Sequence, residues 1–212
     1  MSFPLMPLAP TNYTPSAVTY TYSTSTSTNF VTYTYTAVAI GTESADRRIV
    51  VAGHTDVAGP TPISATVNGI NATLVVNASG VGLFIANVPT GTSVTVTVTY
   101  STTAARAALG VWALTNVSRD AAMSTNVATG TGTVATSTIS VAGGSAVIAA
   151  VSHANSTGFT WTGGTERYDT SNGNPNRMSG ADTTVTSDNS ALQFTATATA
   201  SANWVIVSAS FK

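Results

Sequence analysis

The chain of 212 residues has no cysteine, two histidines, 7% charged residues and a formal net charge of −1. This composition excludes disulfides and thiolate chemistry, and it provides no basic surface that could neutralise nucleic-acid phosphates. No run reaches the roughly 18 apolar residues that a membrane-spanning helix needs, so neither nucleic acid nor a membrane is expected as a partner.

The first 15 residues, MSFPLMPLAPTNYTP, hold four of the eight prolines. Proline favours extended backbone and cannot donate a backbone hydrogen bond, so this segment is predicted to be an extended N-terminal arm (residues 1–15). The arm has no basic stretch before its apolar residues and is not expected to be a signal peptide. Four large apolar side chains are expected to contact a partner, or else the chain's own domain: Phe3, Leu5, Met6 and Leu8.

Residues 18–40 are dominated by tyrosine and valine alternating with threonine and serine, which predicts two strands joined by STSTSTN. Each tyrosine pair is predicted to share one face of its strand: Tyr20 with Tyr22, and Tyr33 with Tyr35. After Tyr35 the apolar residues change from odd-numbered to even-numbered positions, beginning at Val38. This shift predicts a β-bulge near Thr36 or Ala37.

Two turn segments follow. The segment GTESADRRIVV holds four charged residues, half of which could pair locally in the turn before a buried strand: Glu43, Asp46, Arg47 and Arg48. This charged turn is predicted to keep the edge of the following strand from pairing with other chains. Asn68-Gly69 is the dipeptide preferred in a type I′ turn, and it predicts a β-hairpin.

The two-residue period continues through SVTVTVTY, ALQFTATATA and WVIVSASF, which are predicted to be half-buried antiparallel strands. Residues 108–114 and 146–151 are apolar on both faces, as in central strands, and Trp112 is expected to be buried. No stretch has the 3.6-residue apolar period of a helix. The pattern predicts an all-β protein, with a single antiparallel β-sandwich of jelly-roll type over residues 16–212.

Histidine chemistry has few candidates. His54 and Asp56 are two residues apart and would share a strand face, so they could bind a cation if His153 came close. Nothing in the sequence determines that distance, and ordinary strand-end positions are favoured. No metal, cofactor or catalytic residue is therefore predicted.

One pair of acids, Glu166 and Asp169, could serve in glycoside hydrolysis if both faced a cleft. A strand end with a local ion pair is the simpler interpretation. Trp161 and Tyr168 flank the same segment, and an exposed aromatic pair would form a stacking platform for a glycan. Burial is the commoner state of such side chains, and both interpretations stay open.

The order of several segments resembles a β-sandwich family among the structural proteins of tailed bacteriophages and prophages. The resembling segments are AVAIGTESADRRIVVAGHTD, INATLVV, GLFIANVPTGTSVTVTVTYSTTAARAALGVWALTNV and ANWVIVSASFK, within residues 37–212. They carry no catalytic residues of the family, so the resemblance implies a fold and a context without an active site.

The resemblance implies a virion protein made in the host cytoplasm. The first expectation is a capsid decoration or cement protein whose partners are the major capsid protein or other virion proteins. Homo-oligomers are expected, first of all trimers, with the arm as the attachment segment. The alternatives are a tail-associated module that binds a receptor or a host surface glycan and, less favoured, a glycan depolymerase.

Overall fold

The computed structural model describes residues 15–118, 120–155, 157–171 and 176–212. These ranges contain fourteen strands and no helix, which confirms the all-β prediction. Accordingly, no helix in them could cross a membrane. The predicted arm lies outside the described residues except for Pro15, and so do its four apolar side chains Phe3, Leu5, Met6 and Leu8.

The first half of the chain forms one antiparallel sheet of eight strands. The strands are β1 (Ala17–Thr26), β2 (Phe30–Ala39), β3 (Arg48–His54), β4 (Pro62–Val67), β5 (Ile70–Ala78), β6 (Val81–Asn87), β7 (Ser93–Ala104) and β8 (Ala107–Thr115). Their order is β1-β8-β3-β6-β5-β4-β7-β2. The sheet curls until its edge strands β1 and β2 come into contact, so that it nearly closes.

The pairing within this sheet is nested. β1 pairs with β8, β2 with β7, β3 with β6 and β4 with β5. This is the pairing of one long hairpin, with β1–β4 as one arm and β5–β8 as the other, that has folded around itself. The pairs β3–β8, β4–β7 and β5–β6 join the folded segments into one sheet.

The second half of the chain forms a second antiparallel sheet. Its strands are β9 (Ser124–Val141), β10 (Ser145–His153), β11 (Phe159–Thr162), β12 (Thr165–Ser171), β13 (Arg177–Val185) and β14 (Asn189–Phe211). The order is β11-β14-β10-β13-β12, and β9 also pairs with β14. The 23-residue β14 breaks register between Thr197 and Ala202, and it pairs with β9 on both sides of that break.

Three apolar clusters form the core. The first fills the inside of the curled sheet and includes Val51, Val98 and Leu109. The second joins the two sheets and includes Trp112 and Phe211. The third, around Phe194 and Ile206, covers the other face of the second sheet. Because β8 and β10 face a cluster on each side, their apolar residues on both faces are buried, as predicted.

The two tyrosine pairs behave differently. Tyr33 and Tyr35 are both buried in the first cluster, and the register shifts between Tyr35 and Val38, which confirms the predicted bulge. The prediction that Tyr20 and Tyr22 share a face is wrong. A register shift between them at β8 turns Tyr20 toward the second cluster and Tyr22 toward the first, because the extra residue of a bulge reverses the alternation.

The charged turn is organised by a buried arginine. The Arg47 guanidinium donates to backbone carbonyls at Ile40, Gly41, Thr42, Val88, Thr90 and Gly91. In the described residues no ion pair joins two of the four charged residues of this turn, so the prediction of local pairing is wrong. Arg48 pairs instead with Asp120. The predicted hairpin at Asn68-Gly69 is confirmed, with φ of 52° and 79° between β4 and β5.

Candidate functional site

Trp161 lies on β11 with only 9% of its surface exposed. Its indole N–H donates to the Ser179 hydroxyl at 2.8 Å, and its ring meets Phe194 edge to face at 6.4 Å between centroids. These contacts place it in the third cluster.

Tyr168 lies on β12, 6% exposed, and belongs to the second cluster. A Cβ on Gly110 or Gly180 would come within 2.4 Å or 2.6 Å of its ring, so these glycines make room for it. Trp161 and Tyr168 therefore face opposite sides of the second sheet. Two buried rings on opposite faces do not form the exposed pair that a stacking platform requires.

His54 is fully buried at the end of β3, where it connects the two sheets. The Ser152 hydroxyl donates to the Gly80 carbonyl at 3.0 Å, so it accepts a hydrogen bond from Nδ1–H of His54 at 3.2 Å. Nε2 consequently accepts from the Tyr168 hydroxyl at 2.6 Å. Burial lowers the pKa of His54 to about 3, so the ring is neutral and both nitrogens are occupied.

The three residues considered for a cation do not converge. His153 follows Ser152 on β10 and points to the opposite face, where Nε2 donates to the Gly132 carbonyl at 3.1 Å. The Asp56 carboxylate lies 3.4 Å from the Arg106 guanidinium. In the described ranges, no group of three or more histidines and acids is arranged to hold a metal ion.

Glu166 and Asp169 have unequal surroundings. Asp169 is 2.5 Å from the Arg177 guanidinium and accepts the Phe159 backbone N–H at 3.1 Å. Glu166 lies 3.4 Å from the Ser179 hydroxyl, and burial followed by the charge of Asp169 raises its pKa. A raised pKa suits a general acid, but Asp169 is held in a local ion pair. The simpler interpretation, a strand end with an ion pair, describes this geometry.

A cavity of about 350 Å³ lies at the gap between the edge strands β1 and β2, here called the seam cavity. Its aromatic residues are Phe30, Tyr33 and Tyr35. The Tyr35 hydroxyl is buried without a hydrogen-bond partner in the described residues. Sequence analysis placed these rings on strands but missed the cavity, because alternation reveals the face of a side chain and not which strands become sheet edges.

The outer face of β2 and β7 is rich in threonine side chains. Thr32 and Thr99 hydroxyls are 3.1 Å apart, and Thr34 and Thr97 hydroxyls are 3.4 Å apart. Several exposed apolar side chains occur on the strands β2, β4 and β5: Phe30, Val31, Ile63, Ile70 and Leu74. These four neighbouring strands thus present hydroxyl and apolar groups and no charged side chain.

Comparison with known proteins found no match: no protein-family model, no curated protein and no solved structure is similar to this chain.

Proposed function

We propose that this chain is a non-enzymatic structural protein of a tailed-bacteriophage particle, and that it decorates or cements the capsid surface. The observation that carries the proposal is the nested strand order of the first sheet. Splitting that sheet between β6 and β5 yields two four-stranded halves, β1-β8-β3-β6 and β5-β4-β7-β2. We interpret these two halves as a double-sheet jelly roll, an architecture that occurs in viral capsid and lectin domains.

The jelly roll proposed here is confined to β1–β8, residues 17–115. The second sheet packs on it through the second cluster and adds a further layer of the sandwich. Trp112 of β8 is central to this contact, since its indole N–H donates to the Asp182 carboxylate at 2.8 Å. A rigid, many-layered β-structure suits a protein that must persist on a particle surface.

The uncharged outer face of β2, β7, β4 and β5 also supports assembly. Like charges that would repel neighbouring copies are absent from these strands, and a net charge of −1 adds little repulsion. We propose homo-oligomers on the particle, a trimer first, with the arm (residues 1–15) attaching each copy to the capsid through its apolar side chains.

Imaging tests the location. Particles of the phage that encodes this chain are labelled with an antibody against it and examined by electron microscopy. Regularly spaced label over the capsid is expected. Label at the tail would support the tail-associated alternative instead, and absence of the chain from purified particles would refute a virion role.

A truncation tests the arm. The chain without residues 1–15 retains every described strand, because β1 begins at Ala17, and it is expected to fold. Mixed with particles that lack the protein, it should bind far less than the full chain. Equal decoration by both forms would show that the arm is not the attachment segment.

The second candidate function is glycan binding by a tail-associated module, and the seam cavity is the observation that favours it. For hydrolysis the support is limited to the raised pKa of Glu166. If the chain were a depolymerase, it would release reducing ends from host polysaccharide, and Glu166→Gln would abolish that release.

A further inference from the structure

We propose that the seam cavity binds a neutral sugar. The proposal deepens the glycan-binding candidate and is independent of where on the particle the chain sits. It assigns the sugar to a site that differs from the region around Trp161 and Tyr168.

The aromatic side of the cavity offers a stacking surface. Phe30 is 55% exposed, and its ring meets Tyr33 edge to face at 5.8 Å between centroids. The Tyr33 hydroxyl donates to the Ala104 carbonyl at 2.6 Å, which holds that ring in place. A supported, solvent-exposed aromatic ring is what the apolar C–H face of a pyranose stacks against.

The rest of the lining is rich in hydroxyl groups, each able to donate and accept a hydrogen bond. Among the described residues, six carry a hydroxyl group: Thr24, Ser25, Thr26, Thr28, Thr32 and Thr34. Three pairs of threonine hydroxyls are already 3.1 to 3.4 Å apart (Thr26–Thr28, Thr32–Thr99 and Thr34–Thr97), and each pair keeps one proton that is free to be donated. None of the described lining residues is charged. An acidic sugar would find no cation there to compensate its desolvation, so the lining favours a neutral one.

Tyr35 lines the cavity without offering its hydroxyl to a ligand. It is 8% exposed, and its hydroxyl oxygen is shielded from solvent and has no hydrogen-bond partner in the described residues. A sugar in the cavity would therefore not reach that oxygen, and its hydrogen bonds would go to the threonine and serine hydroxyls of the lining.

The size of the cavity limits the ligand. About 350 Å³ is near the lower end of the range for small-molecule pockets, roughly 300 to 1,000 Å³. A monosaccharide or the end of a glycan chain fits this volume, whereas the interior of a long polymer would need an extended groove.

The test is a titration of the full chain with glucose, galactose, mannose, N-acetylglucosamine and N-acetylgalactosamine, followed by calorimetry or ligand-observed NMR. At least one of these sugars should bind with a dissociation constant of about 10 mM or tighter. Phe30→Ala should weaken that binding about tenfold, and Thr24→Val about three- to tenfold, since it removes one hydroxyl group of the lining.

Ile63→Ala is the matched control. Ile63 is 49% exposed but lies outside the cavity, so this variant should bind the sugar unchanged. Circular dichroism and a thermal melt establish that each variant is folded, and Thr24→Val, which keeps the β-branched shape of the side chain, still tests the proposal if Phe30→Ala does not fold.

Two results would overturn the proposal: none of the five sugars binds, or binding is the same in both cavity variants as in the wild type. Neither result bears on the capsid proposal, which is tested by the position of the antibody label on phage particles.

Discussion

The junction between the two sheets and the seam between β1 and β2 are both lined by aromatic and hydroxyl side chains, but only the junction is closed. At the junction, the polar atoms of Trp112, His54 and Tyr168 each have a partner within the protein. At the seam, Phe30 is exposed and the Tyr35 hydroxyl has no partner in the described residues. Similar residue types thus close the junction through internal hydrogen bonds, whereas at the seam an aromatic ring stays exposed to solvent.

Truncation of Trp112 should have the largest effect. Trp112→Ala removes a fully buried indole from the second cluster and leaves the Asp182 carboxylate without one of its donors. The free energy of unfolding should fall by about 3 to 5 kcal/mol. Denaturant titration measures it, with Phe30→Ala at the seam as the control, expected to cost less than about 1 kcal/mol. Equal losses would mean that the junction and the seam are equally packed.

Acid should weaken the junction through His54. Its pKa is about 3 in the folded protein against 6.5 when unfolded, so below pH 6.5 the unfolded chain binds a proton that the folded chain does not. Stability is therefore lost as pH falls from 6.5 toward 3, by about 3 kcal/mol between pH 6.5 and pH 4. Denaturant titrations at both pH values, on wild type and His54→Gln, isolate this contribution. An identical pH dependence in the two proteins would contradict it.

Removing one hydroxyl in each region provides the most direct comparison. Tyr168→Phe leaves Nε2 of buried His54 without its donor and should cost about 1 to 3 kcal/mol. Tyr35→Phe deletes a buried hydroxyl that has no partner in the described residues, so stability should stay unchanged or rise slightly. Both variants are measured by denaturant titration without added sugar. A clear loss of stability in Tyr35→Phe would show that its hydroxyl is bonded within the protein.

Much of the local structure could be predicted from the sequence, because it depends on near neighbours in the chain. The alternation of Val and Thr predicted strands such as β7, and Asn68-Gly69 predicted a hairpin. The phase change after Tyr35 predicted a bulge. The bulge between Tyr20 and Tyr22 could not be predicted in this way, since the tyrosines keep strict alternation and only pairing with β8 reveals the extra residue.

The sequence by itself determined the all-β class, the hairpin at Asn68-Gly69 and the burial of β8 and β10, because the two-residue period and turn chemistry act within a few residues. Only the tertiary structure decided which strands lie at the seam, that Trp161 and Tyr168 face opposite sides of a sheet, and that His54 joins Tyr168 to Ser152. His54 and Tyr168 are 114 positions apart. Contacts over such separations arise from the order in which strands pair, and no local pattern of side chains specifies that order.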